Sequence, residues 1–234
     1  MLRIVFLGME IRILDKLAQS SVSLVGAYLP PAPYWMSGSL PLLAKVFPRS
    51  LLKKWFRTVS AHGRLAGYLK DHQIPALKTL RVDAPGFLKD LEQLEPDLGV
   101  VANFGQILGE RILNLPKYGF IGFHPSMLPL YRGPEPLGHI LLNGEGRSGA
   151  TWHRTVPDID RGEILAQEEF PVEPSDTRRD LLRKSLDMAV EMLGPLLQDI
   201  ERGTVKSRPQ DEAMATYLPR LTREQKQQLA AMKK

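Results

Sequence analysis

Two uninterrupted apolar runs of strand length, Asp97-Leu98-Gly99-Val100-Val101-Ala102 and Tyr118-Gly119-Phe120-Ile121-Gly122-Phe123, constrain this chain more than any other feature. A strand with one face in water alternates apolar and polar residues. One that is apolar throughout needs cover on both faces, as the central strands of a helix-flanked sheet have. The N-terminus repeats the signal. Leu2-Arg3-Ile4-Val5-Phe6-Leu7-Gly8 reads as another buried strand, Ile11 to Ser20 carries apolar residues at helical spacing, and Val22 to Leu29 reads as a strand again. Strand, helix, strand at this length is what a right-handed parallel crossover requires. The expected class is α/β, with a mixed, mostly parallel sheet and helices on both faces.

The alternation continues with a helix through His62 to His72, a strand at Pro75 to Thr79, a helix from Pro85 to Leu94, and a loop with a short helix over Phe104 to Leu115. Ser148 to Thr155 and Glu163 to Phe170 read as strands. The short loop between them favours an antiparallel hairpin, hence a mixed sheet. Arg178 to Glu201 is a long amphipathic helix, and the polar stretch after Gly203 has no strong periodicity until Glu224 to Met232. A chain of 234 residues suits one large domain with a tail, here 1–203 followed by a short extension over 204–234. Residues 30–57 break the pattern as an insertion. Its Lys45, Arg49, Lys53, Lys54 and Arg57 lie among Leu, Phe and Trp. Such a segment suits a substrate lid, a partner surface, an interfacial membrane helix or a helical insertion packed on its own domain.

Cysteine is absent, which excludes disulfides, thiolate metal sites and a cysteine nucleophile. No run approaches the ~20 apolar residues of a membrane span, and the N-terminus lacks a signal-peptide pattern, so a cytoplasmic location is the default expectation. The net charge of +5 fits either an anionic partner or ordinary surface charge. The scattered histidines lack metal-ligand spacing, so no metal is expected.

Ligands of open α/β sheets bind beyond the carboxyl ends of the strands. After the second apolar run the chain reads His124-Pro125-Ser126-Met127-Leu128-Pro129-Leu130-Tyr131-Arg132-Gly133, a histidine leaving a buried strand into a proline-bracketed loop. A histidine there is suited to general acid or base work near neutral pH, although a strand-end histidine taken alone more often serves structure. Asp160 stands in the loop of the hairpin and offers a carboxylate to orient His124 or to accept a substrate proton. Read alone, an aspartate near a glycine is commonly a turn residue.

The run His124 to Gly133, then Leu141-Leu142-Asn143-Gly144, Gly149-Ala150-Thr151-Trp152-His153 and Asp158-Ile159-Asp160-Arg161-Gly162-Glu163-Ile164-Leu165, resembles the formyltransferases that use 10-formyltetrahydrofolate. Pro209-Gln210-Asp211-Glu212 and Ala215 to Arg220 extend the likeness towards the C-terminus. The resemblance implies a formyltransferase-like Rossmann fold and His124 and Asp160 as the catalytic pair. It implies a folate site formed by Gln106, Ile107 and Leu108, by Ser126, Met127, Leu128 and Pro129, and by Val156, Pro157, Asp158 and Ile159. Ile107, Met127 and Leu128 would sandwich the ring. The leading acceptor class is a small amine, phosphorylated or not, such as a nucleotide-linked amino sugar or an amine of a biosynthetic intermediate, and the positive charge suits a phosphate. About 30 residues follow Gly203, too few for an appended β-barrel, which disfavours tRNA recognition in that style.

One position departs from the family pattern. Asparagine is expected two residues before the histidine, as a hydrogen-bond donor to the oxyanion, and this chain has Gly122. Three readings stay open: another donor enters the space, with Asn103 and His153 the candidates; the chain runs a related transfer; or it is a non-catalytic folate- or nucleotide-binding protein.

Overall fold

The structure, a computed structural model, describes residues 1–30, 62–79 and 81–232. The basic, apolar segment 30–57 therefore lies outside the described residues except for Pro30. Seven strands form one sheet: β1 (Arg3–Gly8), β2 (Ser23–Leu29), β3 (Ala76–Lys78), β4 (Leu98–Ala102), β5 (Phe120–His124), β6 (Arg147–Arg154) and β7 (Ile164–Pro171), in the order β3-β2-β1-β4-β5-β6-β7. The first five are parallel, and β6 runs antiparallel to both of its neighbours, β5 and β7. The mixed, mostly parallel α/β sheet expected from the sequence is present.

The helices are α1 (Ile11–Ala18), α2 (62–71), α3 (Pro85–Gln93), α4 (Glu110–Leu113), α5 (Pro136–Leu142), α6 (Arg178–Arg202) and α7 (Arg223–Ala231). The helical spacing of apolar residues is plain in α1, whose Ile13, Leu14 and Leu17 are fully buried with Leu65 and Leu69 of α2 and Leu186, Ala189 and Leu193 of α6. This cluster covers one face of the sheet, where Ile4, Phe6, Ile121 and Trp152 point. Phe87 and Leu91 of α3 and Ile112 and Leu113 of α4 cover the other face against Val5, Leu7, Leu77 and Phe120. Alternation along each strand explains the division, since neighbours in sequence face opposite sides.

Helix α6 starts at a capping box, Thr177 accepting from the Asp180 amide while Asp180 accepts from the Thr177 amide, and ends at Gly203 with φ 70°. Helix α5 is invisible to periodicity. Pro136 opens it, and Pro136, Leu137, Gly138, His139 and Ile140 are all buried, so no polar face marks it out.

Because β1 lies between β2 and β4, successive crossovers leave it in opposite directions, and the carboxyl ends of β1, β4 and β5 open together. The approach of β1 to β4 there is close: a Cβ on Gly8 would lie 1.9 Å from the Ala102 carbonyl oxygen. Beyond α6 the chain returns along the sheet end. Arg208 bridges Ile164, and Tyr217 bridges Arg132. No described helix is long and apolar enough to cross a membrane.

Candidate active site

On β5, Phe120, Gly122 and His124 share the face covered by α3 and α4, and on β6 their neighbours Thr151 and His153 share it too, with Gly122 opposite His153 and His124 opposite Thr151. Over β5 and β6 this face carries the loop between β6 and β7 that bears Asp160. The loop brings its carboxylate between two buried histidines. Asp160 Oδ2 lies 3.5 Å from His124 Nδ1, and Oδ1 lies 3.7 Å from His153 Nε2. The Gly133 amide donates to Asp160 Oδ2 at 2.8 Å. Asp160 holds a left-handed backbone conformation, φ 53°, which aspartate tolerates better than most residues.

The outer nitrogen of each imidazole meets a backbone carbonyl: His124 Nε2 the Tyr131 oxygen at 2.8 Å, His153 Nδ1 the Arg154 oxygen at 2.9 Å. A carbonyl only accepts, so these nitrogens carry protons. In the neutral rings the inner nitrogens, His124 Nδ1 and His153 Nε2, are then lone pairs turned towards one carboxylate. Burial, reinforced by neighbouring His124 and only partly opposed by Asp160, holds His153 down to about 4, so it is neutral at pH 7. The arrangement accepts a proton at His124 Nδ1 beside a carboxylate that stabilises the resulting charge, as a general base requires.

Two side-chain networks fix this centre. Thr151 donates to the Ser126 carbonyl at 2.7 Å and accepts from Gln167 at 2.8 Å, while Gln167 also donates to the Leu128 carbonyl at 2.9 Å. Together they brace the Ser126–Pro129 turn on β6 and β7. The second network comes from the C-terminal strap. Buried Arg132 donates to Gln210 Oε1 from Nε and Nη2 at 3.0 and 2.8 Å and makes a bidentate pair with Glu212 at 2.8 and 3.1 Å. Gln210 in turn donates to the carbonyls of Asp160 and Gly162 at 2.8 and 2.7 Å. Arg132, with Arg161 assisting, holds the Glu212 carboxyl down to about 2. Tyr131, whose carbonyl receives His124, is anchored by Thr216 Oγ1, which accepts from its amide at 2.8 Å, and by Glu145, which accepts from its hydroxyl. Burial and then Glu145 push that phenol up to about 12.

The other residues singled out from sequence fall into two groups. Ile107, Val156 and Ile159 are 67%, 36% and 43% exposed, apolar surface open to a ligand, and Pro157 and Asp158 between them are exposed as well. Leu108 and Leu128 instead turn inward at 4% and 2%. Ser126 is fully buried and donates to the Leu130 carbonyl, Pro129 is half-buried, and the Met127 sulfur fills the space above Gly149. Gln106 accepts from the Val82 amide and donates to the Tyr28 hydroxyl, which ties its side chain to neighbouring loops. No hydrogen bond or ion pair among the described residues joins Gln106–Leu108 to the His124–Asp160 centre. Asn103 is exposed at the end of β4, φ 52°.

Gly122 is the position the structure explains best. A Cβ there would meet His153 Nε2 and Thr155 Oγ1 at 3.1 Å and His153 Cε1 at 3.2 Å. The imidazole of His153 already fills the space a larger residue at 122 would need. In its neutral state, however, that ring presents a lone pair, so it is not the missing donor. Sequence reasoning gave no role to Arg132, Thr151 and Gln210, although all three stand in the runs that carry the resemblance, and it missed Gln167 and Thr155 as parts of the site.

A groove of about 960 Å³ lies elsewhere, between β7 and α6, lined by Met188, Met192, Pro195 and Val205 among others.

An open doubly wound sheet with a histidine–aspartate pair at its carboxyl end defines the class, and comparison with known proteins supplies the family. A family model described as formyl transferase matches residues 67–195. The chain belongs to that family. It is 36% identical over 153 residues to the methionyl-tRNA formyltransferase of Thermotoga maritima, covering 65% of this chain and 49% of that protein. With the methionyl-tRNA formyltransferase of Roseiflexus castenholzii it shares 34% identity over 227 residues, 95% of this chain and 66% of the relative. The chain thus spans about half the length of the Thermotoga relatives it matches. In fold it is similar to glycinamide ribonucleotide transformylase 1 of Symbiobacterium toebii, with a TM-score of 0.68 at 18% identity over 90% of this chain and 95% of the other.

Proposed function

We propose that this chain transfers a formyl group from 10-formyltetrahydrofolate to the amine of a small, phosphate-bearing substrate. The observation that carries the reading is the His124–Asp160 pair at the end of β5, assembled within the family-matched segment from residues 36 positions apart in sequence. Exposed Ile107, Val156 and Ile159 suit the flat faces of a pterin, and the backbone of these loops suits its amide-like edge. The net charge of +5 suits an anionic acceptor. On this reading residues 1–203 carry the chemistry and the 204–234 extension braces it, with the chain acting in the cytoplasm.

In the transfer, the acceptor nitrogen forms a bond to the formyl carbon as the carbonyl electron pair moves onto oxygen. Collapse of that adduct breaks the bond to the folate N10, which keeps the pair and takes up the proton that began on the amine. His124 Nδ1 is placed to hold that proton, and Asp160 stabilises the imidazolium. Asp160→Asn leaves an oxygen for the Gly133 amide and keeps the loop shape, so its effect reads chemistry rather than folding.

The test is calorimetric titration with 5-formyltetrahydrofolate, followed by turnover of 10-formyltetrahydrofolate against a panel of nucleotide-linked amino sugars, small amines and methionyl-tRNA. His124→Ala and Asp160→Asn are each expected to abolish transfer, with losses that do not add, while melting temperatures stay close to the parent. Absence of folate binding at millimolar ligand would overturn the reading. Binding without turnover favours the binding-protein alternative, which Gly122 keeps in play.

A further inference from the structure

The space beside Gly122 holds one group that neither the family pattern nor the mechanism above uses. Thr155 Oγ1 is shielded from solvent and has no hydrogen-bond partner among the described residues. It converges with His153 Nε2 on the point where a Cβ at 122 would sit, each 3.1 Å away. An unpaired buried hydroxyl is costly, and such groups recur where a ligand completes the bonding. Of the other candidate donors, His153 commits its proton to the Arg154 carbonyl, and Asn103, exposed at the end of β4, is not among the atoms nearest the Gly122 Cβ position.

We infer that Thr155 is a catalytic residue, the hydrogen-bond donor to the formyl oxyanion in place of the asparagine absent at Gly122. This rests on the formyltransferase reading. Three features act together. Gly122 has no side chain, so the Thr155 hydroxyl and the His153 imidazole stand where an asparagine would, each 3.1 Å from the Cβ position. His153 walls the space on one side and stays neutral, so it does not compete as a donor. The Thr155 amide donates to the Phe120 carbonyl at 2.8 Å, which fixes the residue where the strand ends and the exposed loop 156–159 begins. Engagement of the folate by that loop opens the hydroxyl to the reacting carbonyl. The hydroxyl proton stays on Thr155 throughout: it donates to oxygen as the carbonyl pair moves there and is released when the pair returns and the bond to N10 breaks.

The variants are Thr155→Val, which keeps the shape and removes the donor, and Thr155→Ser, which keeps the donor. Turnover of 10-formyltetrahydrofolate is followed with water as acceptor and with any amine the panel returns, since both pass through the same oxyanion. Thr155→Val is expected to lower kcat about 100-fold or more with KM and 5-formyltetrahydrofolate affinity within about twofold. Because it deletes an unpaired buried hydroxyl, its melting temperature should hold or rise by about 2–4 °C. A slower but equally stable protein is what a merely structural threonine would not give. Thr155→Ser should retain kcat within about fivefold of the parent. A Thr155→Val protein with kcat within about threefold of the parent would overturn the inference while leaving the formyltransferase reading intact. A parent that binds 5-formyltetrahydrofolate without turning over the 10-formyl compound also overturns the donor role. A parent that does not bind it removes both.

Discussion

Replacing Gly122 with asparagine inserts the side chain the family pattern expects, and the structure predicts that it fails. Even the first added atom would sit 3.1 Å from His153 Nε2 and from Thr155 Oγ1 and 3.2 Å from His153 Cε1. The Thr155 hydroxyl gives way easily, having no hydrogen bond to lose. The imidazole does not, because it is buried and its Nδ1 donates to the Arg154 carbonyl at 2.9 Å. Removing a glycine from an extended strand position gains about 0.4–1 kcal/mol through the unfolded chain. Overpacking of this kind costs about 1–3 kcal/mol, and asparagine carries three heavy atoms beyond the Cβ, so the upper part of that range applies. The net is a destabilisation of about 2 kcal/mol, read as a melting temperature lower by about 4–8 °C in a chain of this size. The amide arrives where the imidazole stands and displaces the centre, so the transfer rate should fall by about 10–100-fold rather than rise. Adding His153→Ala should recover part of the lost stability, with a coupling of about 1–2 kcal/mol in a double-mutant cycle of melts. A Gly122→Asn protein that melts with the parent and transfers faster would refute the reasoning, because it would show the space at 122 to be free.

His153 has a folded-state value near 4 against an ordinary 6.5, so between those limits the unfolded chain binds the extra proton and acid lowers stability. Its share should appear as about 1.4 kcal/mol per pH unit lost on going down from 6.5 towards 4; urea midpoints of His153→Gln should show a flatter slope there, and equal slopes would refute the assignment. Gln210→Ala removes two bonds to the carbonyls of Asp160 and Gly162 and leaves Arg132 short of an acceptor, at an expected cost of about 2–3 kcal/mol. Amide exchange over residues 156–163 should quicken, and unchanged protection there would show that the strap does not hold the loop.

Local pattern encodes one set of features in this chain. Continuous apolar runs specified β1, β4 and β5, since burial on both faces leaves no room for polar alternation, and the short hairpin loop specified the antiparallel pair β6 and β7. His124 was legible because it directly follows such a run, and Asp160 because its motif stands in the hairpin loop. Helix α5 was not, because its first five residues, Pro136 to Ile140, are all buried. Which nitrogen of each histidine faces Asp160 is set only in the folded chain, since the choice depends on the carbonyls of Tyr131 and Arg154. Folding also placed His153 in the space beside Gly122, through the register of β5 on β6, and left the Thr155 hydroxyl without a partner among the described residues. The strap is the clearest case: Arg132 meets Gln210 across 78 residues of sequence, a contact that no local periodicity encodes because only the closed sheet brings the two segments together.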